Sequence, residues 1–192
     1  QCAVPFTPVT GRRLLATTPE ARAALAQGLI GLCSQEEASS VHVTFLPEDD
    51  WLALGGNRWL QRTDIQFHWH NTGFGCFDDF LKSLSSQKRK NIRKERAAVA
   101  AAGIQLACLT GSDIREAHWD AFYDFYMDTG GRKWGTPYLN RRFFSLIGEA
   151  MADPILLVMA SRAGRLIAGA LNFIGSDALY GRNWGAREHH DN

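Results

Sequence analysis

Hydrophobic residues recur along this chain with two spacings, one near 3.6 and one of two, and the change from one to the other marks out its elements. An extended stretch through Pro5-Phe6-Thr7-Pro8-Val9 leads to a turn at Gly11. A helix is predicted from about Pro19 to Cys33, with Thr18 as N-cap and Pro19 at the first helical position, where its missing N–H costs nothing. Val41 to Leu46 alternates like a strand and stops at Pro47. Glu48 to Leu54 follows as a short helix, acid-first as the helix dipole prefers, and a second strand is expected from about Leu60 to Trp69.

The second half is more regular. Phe77 to Leu84 reads as a short helix, and Ser85 or Ser86 caps a longer one that runs to Ala102 and stops at Gly103. Ile104 to Leu109 is strand-like. Ser112 is placed to cap a helix from Asp113 to about Thr129 that ends on Gly130-Gly131, and a further helix spans about Tyr138 to Met151. Three strands close the chain: Ile155 to Arg162, Arg165 to Ile174, and Ala178 to Trp184, the first two joined by a hairpin at Ala163-Gly164. This order implies a mixed sheet with helices, an α/β or α+β fold.

Composition narrows the class. The 192 residues are 45% hydrophobic and 21% charged, the balance of a globular protein. The longest apolar run, Ile155 to Ala160, is far short of the ~20 residues that cross a bilayer, and no signal-peptide pattern opens the chain. Cys2, Cys33, Cys76 and Cys108 are scattered without zinc-site spacing, which points to reduced thiols in a cytoplasm. A net charge of +1 excludes a general polyanion binder, so stable DNA binding is not expected and any phosphate affinity must be local. The chain opens on Gln1 and closes on a polar stretch, and is read as an internal part of a longer protein.

Charge is indeed local. Lys82, Lys88, Arg89, Lys90, Arg93, Lys94 and Arg96 crowd one segment against a single acid, Glu95. On a helix, Ile92, Val99 and Ala102 form a narrow apolar stripe; Lys88 and Glu95 fall on it, while Arg89, Lys90, Arg93 and Lys94 project elsewhere. Two readings stand: a solvated basic face, or an anion site near a helix N-terminus. The acids Asp113, Glu116, Asp120, Asp124 and Asp128 share one helix face opposite His118, Trp119, Phe122, Phe125 and Tyr126, and an amphipathic surface helix accounts for them.

Two further segments carry candidate chemistry. The loop Thr129 to Tyr138, with Lys133 and Trp134, can close over an anionic or planar ligand, or be a plain connector. On the last strand, alternation puts Tyr180, Arg182 and Trp184 on one face and Gly181, Asn183 and Gly185 on the other, which suits either an anion contact or a stacked surface arginine. His68 and His70 share a strand face, but no third ligand accompanies them, so no metal is expected.

Several of these segments together resemble a family of bacterial predicted N-acyltransferases with a GNAT-like fold, related to the Fem-type peptidoglycan-bridge aminoacyltransferases. They are Phe67 to Asn71, Phe77 to Leu81, Lys88 to Arg96, Arg132 to Gly135, Pro137 to Leu139 and Leu179 to Ala186, with Pro5 to Leu15 fitting the same family. The resemblance implies tandem GNAT-like lobes with mainly antiparallel sheets: residues 1–70 finish the first and 71–192 begin the second. It implies transfer of an acyl or aminoacyl group to an amine, from acyl-CoA or charged tRNA as a transient donor, with no permanently bound cofactor. A phosphate-bearing cell-wall precursor is the implied acceptor.

By the same resemblance Arg89 matches the first arginine of an Arg-x-Asn-Ile-Arg-like helix start and is the first choice for a phosphate contact. Lys88, Arg93, Lys133, Trp134, Tyr180, Arg182 and Trp184 join it as candidate substrate contacts. Thr10, Gly11 and Arg12 stand where a GNAT lobe would cradle a donor pyrophosphate, without the full glycine-rich pattern. No general base is identified. The alternative is a GNAT-like module that binds without turnover.

Overall fold

Two units are distinguishable in the computed structural model, Gln1–His70 and Asn71–Asn192. The structure describes residues 8–56, 59–132 and 137–188.

The first unit is built on two helices. Helix α1 (Pro19–Gln35) starts as its sequence dictates: the Thr18 hydroxyl accepts from the Ala21 N–H at 3.2 Å, with proline in the first turn. Helix α2 (Glu48–Gly55) carries three acids in its first turn. Leu14, Ala26 and Leu54 are buried together, with Leu29, Val43, Leu46 and Trp59 against them. Asp50 is only 2% exposed and is held by Arg22 at 3.1 Å, although its second oxygen and the Arg22 Nε have no partner. Removing the arginine from such a pair strands a buried charge.

Both strands expected in this unit fail to form. Residues 41–46 and 60–69 have no ladder partner, and Leu60 (94% exposed) and Phe67 (97%) stand in solvent. Alternation codes for an extended chain, but a strand is defined by a neighbour, and among the described residues none is supplied. Phe45 also adopts φ +58°, which interrupts the first stretch just before Pro47. Residues 1–7, including most of the expected N-terminal extended stretch, lie outside the described residues.

The second unit follows its sequence more closely. Helix α3 (Phe77–Ser83) and helix α4 (Ser86–Ala101) are separated by one tight turn, and Ser85 is the cap of α4, its hydroxyl accepting from the Lys88 N–H at 3.4 Å. Gly103 at φ +70° turns the chain out of α4 into strand β1 (Ile104–Leu109). Helix α5 spans Glu116–Arg132, helix α6 Arg141–Ala150, and strands β2 (Ile155–Arg162), β3 (Arg165–Ile174) and β4 (Leu179–Ala186) complete the unit. The sheet is four-stranded in the order β1-β2-β3-β4, with every neighbouring pair antiparallel, so it is not mixed.

One face of the sheet is the core. Ile155, Leu157 and Met159 of β2 and Ile167 and Leu171 of β3 point at α5, whose Trp119, Phe122, Phe125 and Tyr126 are buried. Phe144 of α6 sits among these rings, 5.5 Å from Phe122 and 5.8 Å from Tyr126 between centroids. Each such side chain contributes roughly 2–3 kcal/mol through burial. Gly185 lets β4 approach α5, since a Cβ there would overlap the Phe125 carbonyl. The hairpin between β2 and β3 turns on Ala163 (φ +49°) and Gly164 (φ +74°), two left-handed residues as a two-residue loop requires.

Three boundaries move from their expected places. Ser112 does not cap α5; Gly111–Asp113 forms a single 3-10 turn, Ile114 is extended, and α5 begins after Arg115, whose N–H donates to His118 Nδ1 at 3.0 Å. At its other end α5 runs through Gly130-Gly131 to Arg132, because Arg132 is tied to Asp128 at 2.7 Å and to the Ala186 carbonyl at 2.8 Å. Helix α6 begins after Asn140, whose side chain accepts from the Phe143 N–H at 3.0 Å, rather than near Tyr138. Proline before it and an asparagine cap explain the delay.

Candidate functional site

The basic run divides by residue type. Arg89, Arg93 and Arg96 lie at i, i+4 and i+7, one stripe of α4, and all three turn toward α3. Arg89 Nη1 donates to the carbonyls of Leu81, Lys82 and Leu84 at 3.4, 3.4 and 3.2 Å, closing the C-terminal end of α3 where the helix dipole is negative. Arg93 meets Asp78 at 3.6 Å, and the Arg96 guanidinium lies 4.7 Å from the centroid of the Phe77 ring. Arginine stripe and α3 therefore hold each other, and α4 buries no residue completely.

The lysines are placed differently. Lys88, Lys90 and Lys94 are exposed and make no ion pair among the described residues. Lys82 is engaged by Asp79 at 3.0 Å; this hydrogen bond, with a second from Cys76 Sγ at 3.3 Å, holds the Asp79 carboxyl below its ordinary range. On half-buried Arg89, Nη1 is anchored, while Nη2 and Nε have no hydrogen bond among the described residues. An anchored fork is a pre-oriented anion donor, because little side-chain freedom remains to be lost on binding. The periodicity put Lys88 on the apolar stripe, but its side chain is in solvent.

Tyr180, Arg182 and Trp184 do not share a face. The β3–β4 ladder shifts register between Leu171 and Asn172, so that Leu171 opposes Asn183 and Asn172 opposes Gly181, leaving Arg182 as the extra residue of a bulge. Tyr180 opposes Phe173 and Trp184 opposes Ala170, which lie on opposite faces of β3. Tyr180 is thus on the helix-covered side near Gly175, and Trp184 is exposed on the other side. Arg182 donates to the Tyr138 hydroxyl. Lys133 and Trp134 lie outside the described residues.

Within the second unit these groups do not form one cluster. Helix α4 packs beside β1, at the opposite edge of the sheet from β4. Three strand spacings, about 14 Å, separate those edges. Thr10, Gly11 and Arg12 belong to the first unit. There the Gly11 N–H donates to the Phe45 carbonyl at 3.0 Å and Arg12 pairs with Asp49 at 3.2 Å.

The acids of α5 are mostly spoken for. Arg141 of α6 reaches Glu116 at 2.6 Å and Asp120 at 2.7 Å, Arg187 reaches Asp124 at 3.4 Å, and Asp128 holds Arg132. Hydrogen bonds from Arg141 and then Ser145 keep the Glu116 carboxyl below its ordinary range. No group of three metal-binding side chains occurs among the described residues, and no helix there is long and apolar enough to cross a membrane.

A feature missed by sequence reasoning is a cleft of about 730 Å³ in the first unit, lined by residues of 41–46 and 59–68 together with Trp51 and Leu54. Trp51 and Trp59 were separated in sequence by a glycine pair, and nothing in their spacing announces a shared wall.

Over its whole length, residues 1–192, the chain matches a family described as FemAB-like, peptidoglycan biosynthesis/recognition. The chain belongs to the FemAB-like family. No curated protein matches it. The FemAB-like match spans both units, so the α3–α4 pair and the cleft of the first unit both fall within the family region. It links the chain to peptidoglycan biosynthesis or recognition.

Proposed function

We propose that this FemAB-like chain belongs to an N-acyl- or aminoacyltransferase that moves an acyl group onto an amine of a phosphate-bearing cell-wall precursor. Its two units are GNAT-like lobes on this reading, and the donor is acyl-CoA or an aminoacyl-tRNA. The observation that carries it is Arg89: one nitrogen is fixed by three carbonyls at the C-terminal end of α3, the other two have no hydrogen bond among the described residues, and Lys88 and Arg93 stand on the same turns of α4. Amide transfer needs the neutral amine positioned against the carbonyl, with donors for the oxyanion. Gripping the phosphate of the acceptor supplies that positioning from a distance.

The test compares wild type with Arg89→Ala and Arg89→Lys for binding of acyl-CoA, charged tRNA and phosphate-bearing cell-wall precursors, with thermal unfolding run in parallel. Loss of about tenfold or more for one ligand supports the role, since a charge-assisted hydrogen bond is worth roughly 1.5–3 kcal/mol. Unchanged affinity for every ligand the wild type binds sinks it. A second reading, binding without turnover, is favoured by the engagement of Glu116, Asp120, Asp124 and Asp128 in ion pairs rather than at a reacting centre. Mass-spectrometric detection of an acylated product excludes that reading.

A further inference from the structure

The three arginines of α4 hold α3 with unequal strength. Half-buried Arg89 donates to three carbonyls at the C-terminal end of α3. Arg96 lies over the ring of Phe77, the first residue of α3, a contact that involves no anion. Arg93, between them on the stripe, meets a carboxylate, that of Asp78, and their separation of 3.6 Å is an ion pair without a hydrogen bond. The two side chains are 59% and 68% exposed, so water screens the pair and it contributes little. The other acid of that turn, Asp79, is engaged by Lys82 and Cys76. Helix α3 is therefore fastened at both ends by contacts that need no carboxylate, and the Asp78 carboxylate is the part that can leave.

We infer that Asp78 is an internal competitor for the anion site of α4: its carboxylate occupies Arg93 in the free protein and gives way when a phosphate group bridges Arg93 and Arg89. The inference rests on the phosphate grip proposed above and adds the residue that sets its threshold. Arg89 and Arg93 are four residues apart on one helix face, roughly 5–6 Å between Cβ atoms, so both guanidinium groups can reach one phosphate. A phosphate dianion brings more charge than a carboxylate, and oxygens that accept charge-assisted hydrogen bonds from both arginines, so the exchange favours it. The displaced carboxylate is already at the surface and returns to water at little cost. The consequence is a site of lower affinity than the bare arginine stripe would have, with faster release of the bound group.

The experiment titrates the intact 192-residue chain with inorganic phosphate and follows the backbone amide shifts of α4 by NMR. Wild type, Asp78→Asn, Arg93→Gln and the double variant are compared, with thermal unfolding in parallel. Asp78→Asn is expected to bind phosphate about threefold more tightly, the size of one exposed ion pair. In the Arg93→Gln background the same change is expected to give no such gain. A purely structural role for Asp78 predicts the opposite sign, a weaker site and a lower melting temperature. Unchanged or weaker binding in Asp78→Asn overturns the inference and leaves the phosphate grip standing. A gain that persists in full without Arg93 also overturns it, because plain charge repulsion then accounts for the effect. If phosphate shifts no α4 amide in either wild type or Asp78→Asn, the grip itself fails and the competitor falls with it.

Discussion

Helices α4 and α5 are both amphipathic and both carry a strip of like charge, yet they are stabilised in opposite ways. Helix α5 is held from beneath: Trp119, Phe122, Phe125 and Tyr126 enter the core, and most of its acids are neutralised by arginines of α6, of its own last turn and of the chain after β4. Helix α4 buries nothing fully and is clamped from the side, by three arginines that grip α3. Charge on α5 is therefore consumed by the fold, whereas α4 retains Lys88, Lys90 and Lys94 in excess. A run of charge says little about function until its partners are counted.

The contrast can be broken most forcefully in the core. Phe122→Ala is expected to cost about 3–5 kcal/mol, because a fully buried ring leaves a cavity. The matching change on α4, Ile92→Ala, removes a half-buried side chain and is expected to cost about 1 kcal/mol. Chemical denaturation of both variants measures the difference, and equal losses would show that α4 is held from beneath after all. Next in size is Arg89→Ala, which leaves the last carbonyls of α3 to water and is expected to cost about 1 kcal/mol. Arg89→Lys recovers part of that loss, since a lysine supplies the charge without the fork.

Acid titration sharpens the comparison further. Glu116 is held below its ordinary pKa by Arg141 and Ser145, so its contribution is complete above the unfolded value and is lost as pH falls through the lower folded value. Carboxyl chemical shifts should therefore show Glu116 titrating below the ordinary carboxylate range, and returning toward it in Arg141→Ala. Smallest in stability is Lys90→Glu with Lys94→Glu, expected to stay within about 0.5 kcal/mol of wild type by the same denaturation assay. Binding of a phosphate-bearing precursor should nevertheless weaken in that variant and become less sensitive to salt.

Much of the second unit was legible in the sequence because its signals are local. The cap at Ser85, the stop at Gly103 and the hairpin at Ala163-Gly164 each rest on a few adjacent residues, as does the Thr18 cap in the first unit. The failures involve partners at a distance. Residues 41–46 and 60–69 read as strands, but no alternation can say whether a neighbour will pair with them. Likewise, the division of the basic residues of α4 into engaged arginines and lysines without an ion pair depends on α3 lying alongside, which the helical wheel of α4 alone cannot show. At β4 a single extra residue, Arg182, overturns the face assignment that strict alternation gives.

That extra residue has a bearing on how the protein survives at high concentration. Among the described residues strand β4 is an outer strand of its sheet, and an outer strand presents a row of main-chain groups to which the same strand of another molecule can pair. The irregularity at Arg182 bends and twists this border and sets a cation beside it, so that an incoming flat strand cannot stay in step along the full length. Deleting the residue would restore a smooth border. The molecule would then gain a regular sheet and lose one of the devices that discourage edge-to-edge pairing.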